Sequence, residues 1–224
     1  MGRHTLIAVA LLLGACHGLA HSDDQFERVK VYLERNVQDK DTEIKFEVTG
    51  GSAGLTSLKV VAPDGRTVID FKAPDSKLGM RQLMFESPEP KNDGSVQADF
   101  PAGTYTFTGS STTGARLEGT AKLSHLFPDP PALMRPQPDA TNVPVNELQL
   151  SWQSIKGLRA LVVVIVHEAS GREIRANLPG TATRFTVPAG FLVSGTPYKL
   201  EIGAVAPDGN SSFIETTFTT ARKQ

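Results

Sequence analysis

The sequence is poor in the residues that most often carry chemistry or stack against ligands. It has one cysteine, one tryptophan, three tyrosines and five histidines in 224 residues. Because Cys16 has no second cysteine, an intramolecular disulfide and a multi-thiolate metal site are excluded. The scarcity of tryptophan and tyrosine argues against a surface on which sugar rings stack. A net charge of −1 provides no electrostatic footprint for nucleic acid or anionic lipid.

The one long apolar run lies at the N-terminus, at residues 5–15. It is shorter than the roughly 20 residues of a membrane-spanning helix, so residues 1–20 are predicted to be a secretory signal peptide. Small residues at 18 and 20 suit cleavage before His21, which predicts a soluble periplasmic or secreted protein. Residues 13–16, Leu-Gly-Ala-Cys, resemble a bacterial lipobox, which predicts a lipoprotein held at the membrane by an acyl chain on Cys16. Both forms of the exported protein remain open at this stage.

A proline-rich segment divides the rest of the chain near its middle. Residues 127–139 contain five prolines, and proline fixes its own φ, so this segment is predicted to be a semi-rigid linker. On either side, short runs that alternate apolar and polar residues are separated by turns, which is typical of antiparallel β-sandwiches. The expected domains are residues 24–126 and 140–221. In the first domain, residues 96–100 are interpreted as a strand. Residues 26–37 fit either a strand or one face of a helix, and the strand is preferred.

Three residues of the second half form a recognisable fold signature. Trp152 lies in an alternating strand, and Leu192 and Tyr198 flank a turn that precedes another strand. Residues 138–220 resemble a fibronectin type III domain, in which Trp152 would be the core tryptophan of the second strand. Leu192 and Tyr198 would form its tyrosine corner. The resemblance implies an all-β fold of two tandem immunoglobulin-like, fibronectin type III-like sandwiches after a signal peptide.

A second resemblance extends over most of the chain. Its residues lie in the five segments 34–43, 63–66, 83–90, 100–107 and 117–125. They are similar to a group of exported bacterial proteins of unassigned activity, which join an N-terminal β-domain to a fibronectin type III-like module. This resemblance implies export to the cell envelope and carries no site residues with it.

Asp39, Asp41 and Glu43 form the first candidate site. Carboxylates at alternate positions open the loops that bind calcium, because they can converge on one hard cation when the backbone curves. However, Ile44 and Lys45 stand where such a loop needs glycine. The segment is therefore interpreted either as a polar loop between two strands or as a weak calcium site.

The remaining candidates are isolated side chains. Glu86 and Glu89 lie in a proline-rich stretch that predicts an exposed loop, which could face a ligand at one end of the sandwich. His125 precedes the proline-rich segment and is predicted to lie at the domain interface. If cleavage exposes His21, its amine and imidazole could chelate copper with His125 as the second ligand, since no histidine occurs in the hairpin that would otherwise supply one. His167 is predicted to end a strand.

Nothing in the sequence has the spacing of a catalytic triad or a phosphate-binding loop. The sequence therefore predicts a non-enzymatic, exported binding or scaffolding protein of the bacterial cell envelope, with a protein or glycan partner and no cofactor other than calcium. Two alternatives are a calcium-stabilised binding module and an accessory protein to an envelope polysaccharide hydrolase.

Overall fold

The computed structural model describes residues 25–90 and 92–223, and nearly all of its regular structure is β-strand. Within these residues no helix has the length and apolar character needed to cross a membrane. The elements of the N-terminal half are β1 (Arg28–Asn36), β2 (Asp41–Thr49), β3 (Leu55–Val61), β4 (Thr67–Lys72), β5 (Gln82–Glu86), α1 (Asp93–Asp99), β6 (Gly103–Ser111) and β7 (Arg116–Leu123). The C-terminal half contains β8 (Leu133–Arg135), β9 (Ala140–Val143), β10 (Gln149–Trp152), β11 (Ala160–His167), β12 (Arg172–Pro179), β13 (Arg184–Thr186), β14 (Pro197–Val205) and β15 (Ser211–Thr220).

Both halves are sandwiches with the same strand order. In the first, β1-β2-β5 faces β4-β3-β6-β7; in the second, β8-β10-β13 faces β12-β11-β14-β15, and the short β9 adds to β15. Each sandwich encloses its own apolar core, and Trp152 and Leu192 lie in the second one. The predicted fold of two fibronectin type III-like sandwiches is confirmed.

Each sandwich also contains a tyrosine corner. The Tyr198 hydroxyl accepts a hydrogen bond from the Val193 N–H at 2.8 Å and donates to the Phe191 carbonyl at 3.4 Å. In the first sandwich, the Tyr105 hydroxyl donates to the Pro101 carbonyl at 3.1 Å. Both rings are almost fully buried, so each corner satisfies a polar group that would otherwise be costly inside a core. The corner at Tyr105 was not expected from the sequence.

The prediction of a strand at residues 96–100 is wrong, because α1 occupies most of this segment. Asn92 caps the helix by accepting a hydrogen bond from the Gly94 N–H at 2.9 Å. Val96 and Phe100 are four residues apart, a spacing that fits one face of a helix as well as it fits alternation in a strand. By contrast, the strand expected within residues 26–37 is present as β1.

Residues 127–139, which were predicted to be a linker, are partly built into the two sandwiches. Residues 133–135 form β8, which pairs with β10, so this part of the segment belongs to the second sandwich. At the other end, Phe127 packs against the first core. The Arg35 guanidinium lies over its ring, with the Cζ atom 4.4 Å from the ring centroid. The Ser212 hydroxyl binds the Pro128 carbonyl at 2.8 Å. The proline-rich segment is therefore attached to both sandwiches.

A parallel strand pair joins the two sandwiches into one sheet. β1 pairs with β15, with Glu34 opposite Ser211 and Asn36 opposite Phe213. The Val37 N–H extends this ladder by donating to the Phe213 carbonyl at 2.9 Å. The result is a merged sheet in the order β12-β11-β14-β15-β1-β2-β5, so the last strand of the second sandwich continues the sheet of the first.

The side chain of Asn210 closes this junction. It is 1% exposed, and its Oδ1 accepts a hydrogen bond from the Leu33 N–H at 2.8 Å. Its Nδ2 donates to the carbonyls of Ser124 at 3.0 Å and Leu126 at 2.9 Å. One amide thus satisfies three backbone groups of the first sandwich from the β14–β15 turn of the second.

We expect Asn210→Ala to lower the free energy of unfolding by about 3 kcal/mol, because it leaves the buried Leu33 N–H without a partner and removes the hydrogen bonds to the Ser124 and Leu126 carbonyls. Asn210→Asp should cost more, since it directs a carboxylate oxygen at the two carbonyls. Denaturant unfolding should also change from one transition toward two, because the coupling between the sandwiches is weakened.

Asn177→Ala is the matched control for this substitution, because Asn177 is exposed on β12. An Asn210→Ala variant within about 0.5 kcal/mol of the wild type would contradict the structural role assigned to this amide.

Candidate functional site

The candidate site is an acid-rich pocket on the outward face of the merged sheet, where β1 meets β15. We call it the junction pocket. Its cavity volume is about 210 Å³. Its lining residues are Glu34, Asn36, Asp39, Asp41, Glu43, Glu89, Lys199, Glu201, Phe213 and Glu215.

Strand periodicity places most of these side chains. Successive residues of a strand point to opposite faces, so alternate residues share a face. Each of four strands contributes two alternate residues: Glu34 and Asn36 from β1, Asp41 and Glu43 from β2, Lys199 and Glu201 from β14, and Phe213 and Glu215 from β15. Leu33 and Ile44 pack in the first core, and Leu200 and Ile214 pack in the second, so the neighbouring acidic side chains point to the outward face.

The first pair of facing carboxylates belongs to the first sandwich. Glu34 lies directly opposite Glu43 across β1 and β2, an arrangement of like charges that destabilises a sheet. Lys45 relieves it, with its Nζ 3.1 Å from the Glu34 carboxylate and 2.9 Å from that of Glu43. Burial alone would lower the pKa of Lys45, but these two carboxylates raise it above its ordinary value.

The second sandwich repeats this arrangement. Glu201 lies opposite Glu215 across β14 and β15. The Lys199 Nζ is 3.1 Å from the Glu201 carboxylate and 2.9 Å from that of Glu215. As at Lys45, burial opposes the charged form, but the two carboxylates raise the pKa of Lys199. Even with both lysines charged, the seven carboxylates of the pocket leave it strongly negative.

Two glutamates on the outward face of β2 respond oppositely to their surroundings. Glu43 is 7% exposed, and burial raises its pKa although Lys45 opposes the shift. Burial would also raise the pKa of Glu47, but Lys30 and the Tyr32 hydroxyl, each 2.7 Å from its carboxylate, lower it overall. The ionised form is thus disfavoured at Glu43 and favoured at Glu47.

The structure brings four predicted residues together. Asp39, Asp41, Glu43 and Glu89 all line the junction pocket. The segment interpreted as a polar loop is a loop only as far as Lys40, which has a φ of 57°. Asp41 and Glu43 instead belong to β2 and are buried. In the chain as described, no three histidine, cysteine, aspartate or glutamate side chains are arranged to hold a metal ion.

The other predicted residues lie apart from the pocket. Glu86 is exposed on β5 opposite Lys45, and its charge contributes to the raised pKa of Glu43. The Nε2 of His125 lies 2.9 Å from the Phe100 carbonyl within the first sandwich. Cys16 and His21, with the lipid and copper predictions that depend on them, lie outside the described residues.

Sequence reasoning missed the half of the pocket that comes from the other strands. Glu34 and Glu201, two of these residues, lie in alternating patterns that mark them as outward-facing. That pattern could have identified their face of the sheet. It could not have indicated that β1 and β15, about 180 residues apart in the chain, lie side by side.

Similarity to known proteins is found among solved structures. No protein-family model matches the sequence, and no curated protein matches it. The chain is similar to the Clostridium thermocellum CbhA fibronectin(III)-like modules, with 10% identity over 88% of this chain and 94% of that one and a TM-score of 0.37. It is similar to the two-domain fibronectin type III segment of chicken tenascin, with 16% identity over 88% and 100% of the chains and a TM-score of 0.34.

The chain is also similar to a single fibronectin type III domain. The fn3 domain of human collagen alpha-1(XX) chain shares 25% identity over 43% of this chain and 86% of its own, with a TM-score of 0.32. The fold assignment rests on the strand order and the two tyrosine corners. The partner has to be argued from the site, because a fold hosts many functions.

The opposite pKa shifts predict opposite pH effects at Glu43 and Glu47. A raised pKa in the folded state means that the stability linked to Glu43 is present below its ordinary pKa of 4.5 and is lost as the pH rises through the folded value. The stability linked to Glu47 is present above 4.5 and is lost as the pH falls through its lowered value. Glu43→Gln should therefore raise the melting temperature at pH 7, and Glu47→Gln should lower it.

Thermal melting of both variants between about pH 3 and pH 7 checks this, and both differences from the wild type should shrink in acid. Each variant serves as the control for the other, because both remove one carboxylate from the same face of β2. Destabilisation of similar size by both substitutions at pH 7 would show that the burial of Glu43 is not the dominant effect.

Proposed function

We propose that this protein is an exported, non-enzymatic binding or scaffolding protein of the bacterial cell envelope, and that its junction pocket receives a cationic group of a protein partner. Export is supported by the N-terminal apolar run and the small residues that follow it. The observation that carries the binding role is the convergence of seven carboxylates from both sandwiches in one small cavity.

The charge of the pocket favours a protein partner over a neutral glycan. Its excess negative charge lies partly buried, where it is less screened by salt than an exposed surface charge. Lysine and arginine side chains would complement it, whereas a neutral sugar would leave the carboxylates uncompensated. The shape of the site agrees with this, because the cavity is too small for more than one side chain and its immediate surroundings.

A less polar groove continues from the pocket along the second sandwich. It shares Asp39 and Glu215 with the pocket and extends past Pro131, Leu133 and Ile214. The ligand that fits both surfaces is an extended segment with a basic residue next to apolar ones. Such a segment would place its charge in the junction pocket and its apolar side chains in the groove.

A peptide titration tests this proposal. The probes are short extended peptides that alternate lysine or arginine with leucine, and matched peptides with glutamine in place of the basic residue. Binding is measured by fluorescence anisotropy at several salt concentrations. We expect basic peptides to bind in a salt-sensitive manner, and the double variant Asp39→Asn/Glu89→Gln to weaken binding about tenfold. Both residues are exposed, so the variant should fold normally.

The matched control is Asp70→Asn/Glu118→Gln, which removes two exposed carboxylates from the opposite sheet of the first sandwich. Equal binding of the basic and glutamine peptides, or equal loss in both double variants, would contradict the proposal. As a comparison, retention of the protein and its variants on insoluble envelope polysaccharides is measured. Retention on these glycans that is insensitive to the pocket variant would instead favour the role of accessory protein to a polysaccharide hydrolase.

Calcium is the second candidate ligand of the junction pocket, because Asp39, Asp41, Glu43 and Glu89 offer the oxygen ligands that this ion prefers. Ligation would require the exposed Asp39 and Glu89 to move toward the buried pair. Melting in EDTA and then in millimolar calcium tests this, with an expected upward shift of a few degrees that Asp39→Ala/Asp41→Ala abolishes. An unchanged melting temperature in the wild type would remove calcium from consideration.

A further inference from the structure

The merged sheet ends at β5, and this edge exposes backbone groups that could pair with another strand. The ladder to β2 includes the Gly50 N–H bound to the Arg81 carbonyl at 2.9 Å and the Ser87 N–H bound to the Ile44 carbonyl at 3.1 Å. In an antiparallel pair the bonded residues alternate, so residues 81, 83, 85 and 87 bond to β2. The N–H and C=O groups of Gln82, Met84 and Glu86 therefore point away from the sheet, where no described strand pairs with them.

The other sheet edges carry features that discourage pairing. Charged side chains, proline and short length are the usual protections of an edge strand. β8 and β13 are only three residues long. The longer edges carry several charges each: Asp70 and Lys72 on β4; Arg116, Glu118 and Lys122 on β7; and Arg172, Glu173 and Arg175 on β12, which also ends in Pro179.

The β5 edge has less of this protection than the other edges. Of its three outward-directed residues only Glu86 is charged, and the Met84 side chain at its centre is 52% exposed. Met80 lies four residues earlier and is 44% exposed. Exposed methionines are common on binding surfaces, because the flexible thioether adapts to different neighbours.

We propose that two copies of this protein pair through their β5 strands, antiparallel and with the two-fold axis at Met84. The observation that selects a second copy as the occupant is the self-complementary order of Gln82, Met84 and Glu86. In this register Met84 meets Met84 of the partner subunit, an apolar contact across the axis. Gln82 meets Glu86 of the partner subunit, and Glu86 meets the partner's Gln82, so each carboxylate faces an amide that can donate to it.

Backbone geometry suits the same register. The three outward residues each have both an N–H and a C=O free, so all three cross-strand pairs can be of the hydrogen-bonded type. On the inward face Leu83 meets Phe85 of the partner subunit, which places one apolar side chain opposite another. The pairing therefore leaves no like charges opposite each other on either face.

The length of the edge sets the strength of the association. Pro88 and Pro90 follow the strand and cannot donate to a ladder, so the paired segment is limited to the five residues of β5. An interface of this size falls among the small, transient ones. We therefore expect a dimer that forms reversibly, with a dissociation constant above about 10 µM.

Sedimentation velocity of the purified protein from about 1 µM to about 1 mM tests the association. The weight-average sedimentation coefficient of the wild type should rise with concentration toward that of a dimer. Met84→Lys should remain monomeric throughout, because it brings two ammonium groups together at the axis. Met134→Lys is the matched control, since Met134 is 50% exposed on β8 in the other sandwich, and it should associate like the wild type.

Position 82 tests the register itself. Gln82→Lys places an ammonium opposite Glu86 of the partner subunit, and this occurs twice by symmetry, so association should strengthen about threefold or more. Gln82→Glu places two carboxylates opposite each other twice, so association should weaken by a similar factor. Opposite effects of these two substitutions are specific to pairing centred on Met84.

Two results would overturn the proposal. One is a wild-type monomer at every concentration, which would leave the β5 edge to a strand of another protein. The other is a dimer that is insensitive to Met84→Lys and to the charge at position 82, which would place the interface elsewhere. Amide hydrogen exchange supplies a separate readout, because dimerisation should slow exchange at Met84 and Glu86, while Leu83 and Phe85 are already bonded to β2.

Discussion

The buried amide of Asn210 is the interaction on which the arrangement of the two sandwiches depends. The parallel pairing of β1 with β15 covers only three residue pairs, which is little to hold two domains in register. Asn210 reinforces it by binding the Leu33 N–H and the carbonyls of Ser124 and Leu126. The Leu33 N–H is the buried member of this set, and it would cost about 1–3 kcal/mol if it were left there without a partner. Separation of the sandwiches therefore requires these three hydrogen bonds to be exchanged for bonds to water, in addition to the loss of the strand pairing.

The junction pocket follows from this pairing and from the alternation of the strands. Leu33 and Ile44 must face the first core, so their neighbours Glu34 and Glu43 must face outward and oppose each other. Placing β15 beside β1 then adds the carboxylates of the second sandwich. Lys45 and Lys199 each neutralise part of this charge, but the remaining carboxylates are kept together at an electrostatic cost. Local arrangements that oppose stability in this way tend to occur at functional sites.

The sequence predicted what local signals specify and missed what depends on distant contacts. Tyr198 and Trp152 correctly indicated the fibronectin type III-like fold, because their burial and hydrogen bonds are settled within one sandwich. The turn Ala-Pro-Asp-Gly occurs at 62–65 and 206–209, and in both places glycine has a positive φ. However, Arg66 follows the first turn and lies exposed, whereas Asn210 follows the second and is buried in the junction. Nothing within the turns distinguishes these outcomes.

The two proposed surfaces are compatible because they use different directions of the same sheet. The junction pocket opens on the outward face, whereas pairing at β5 extends the sheet in its own plane. In an antiparallel pair, residues opposite each other point to the same side, so the pockets of two paired copies would face the same direction. A weak dimer would then present two pockets for cationic groups on the same side. A partner that filled both pockets at once would be bound more tightly than by either pocket alone. Dimerisation would in this way offset the modest affinity that a single small pocket can provide.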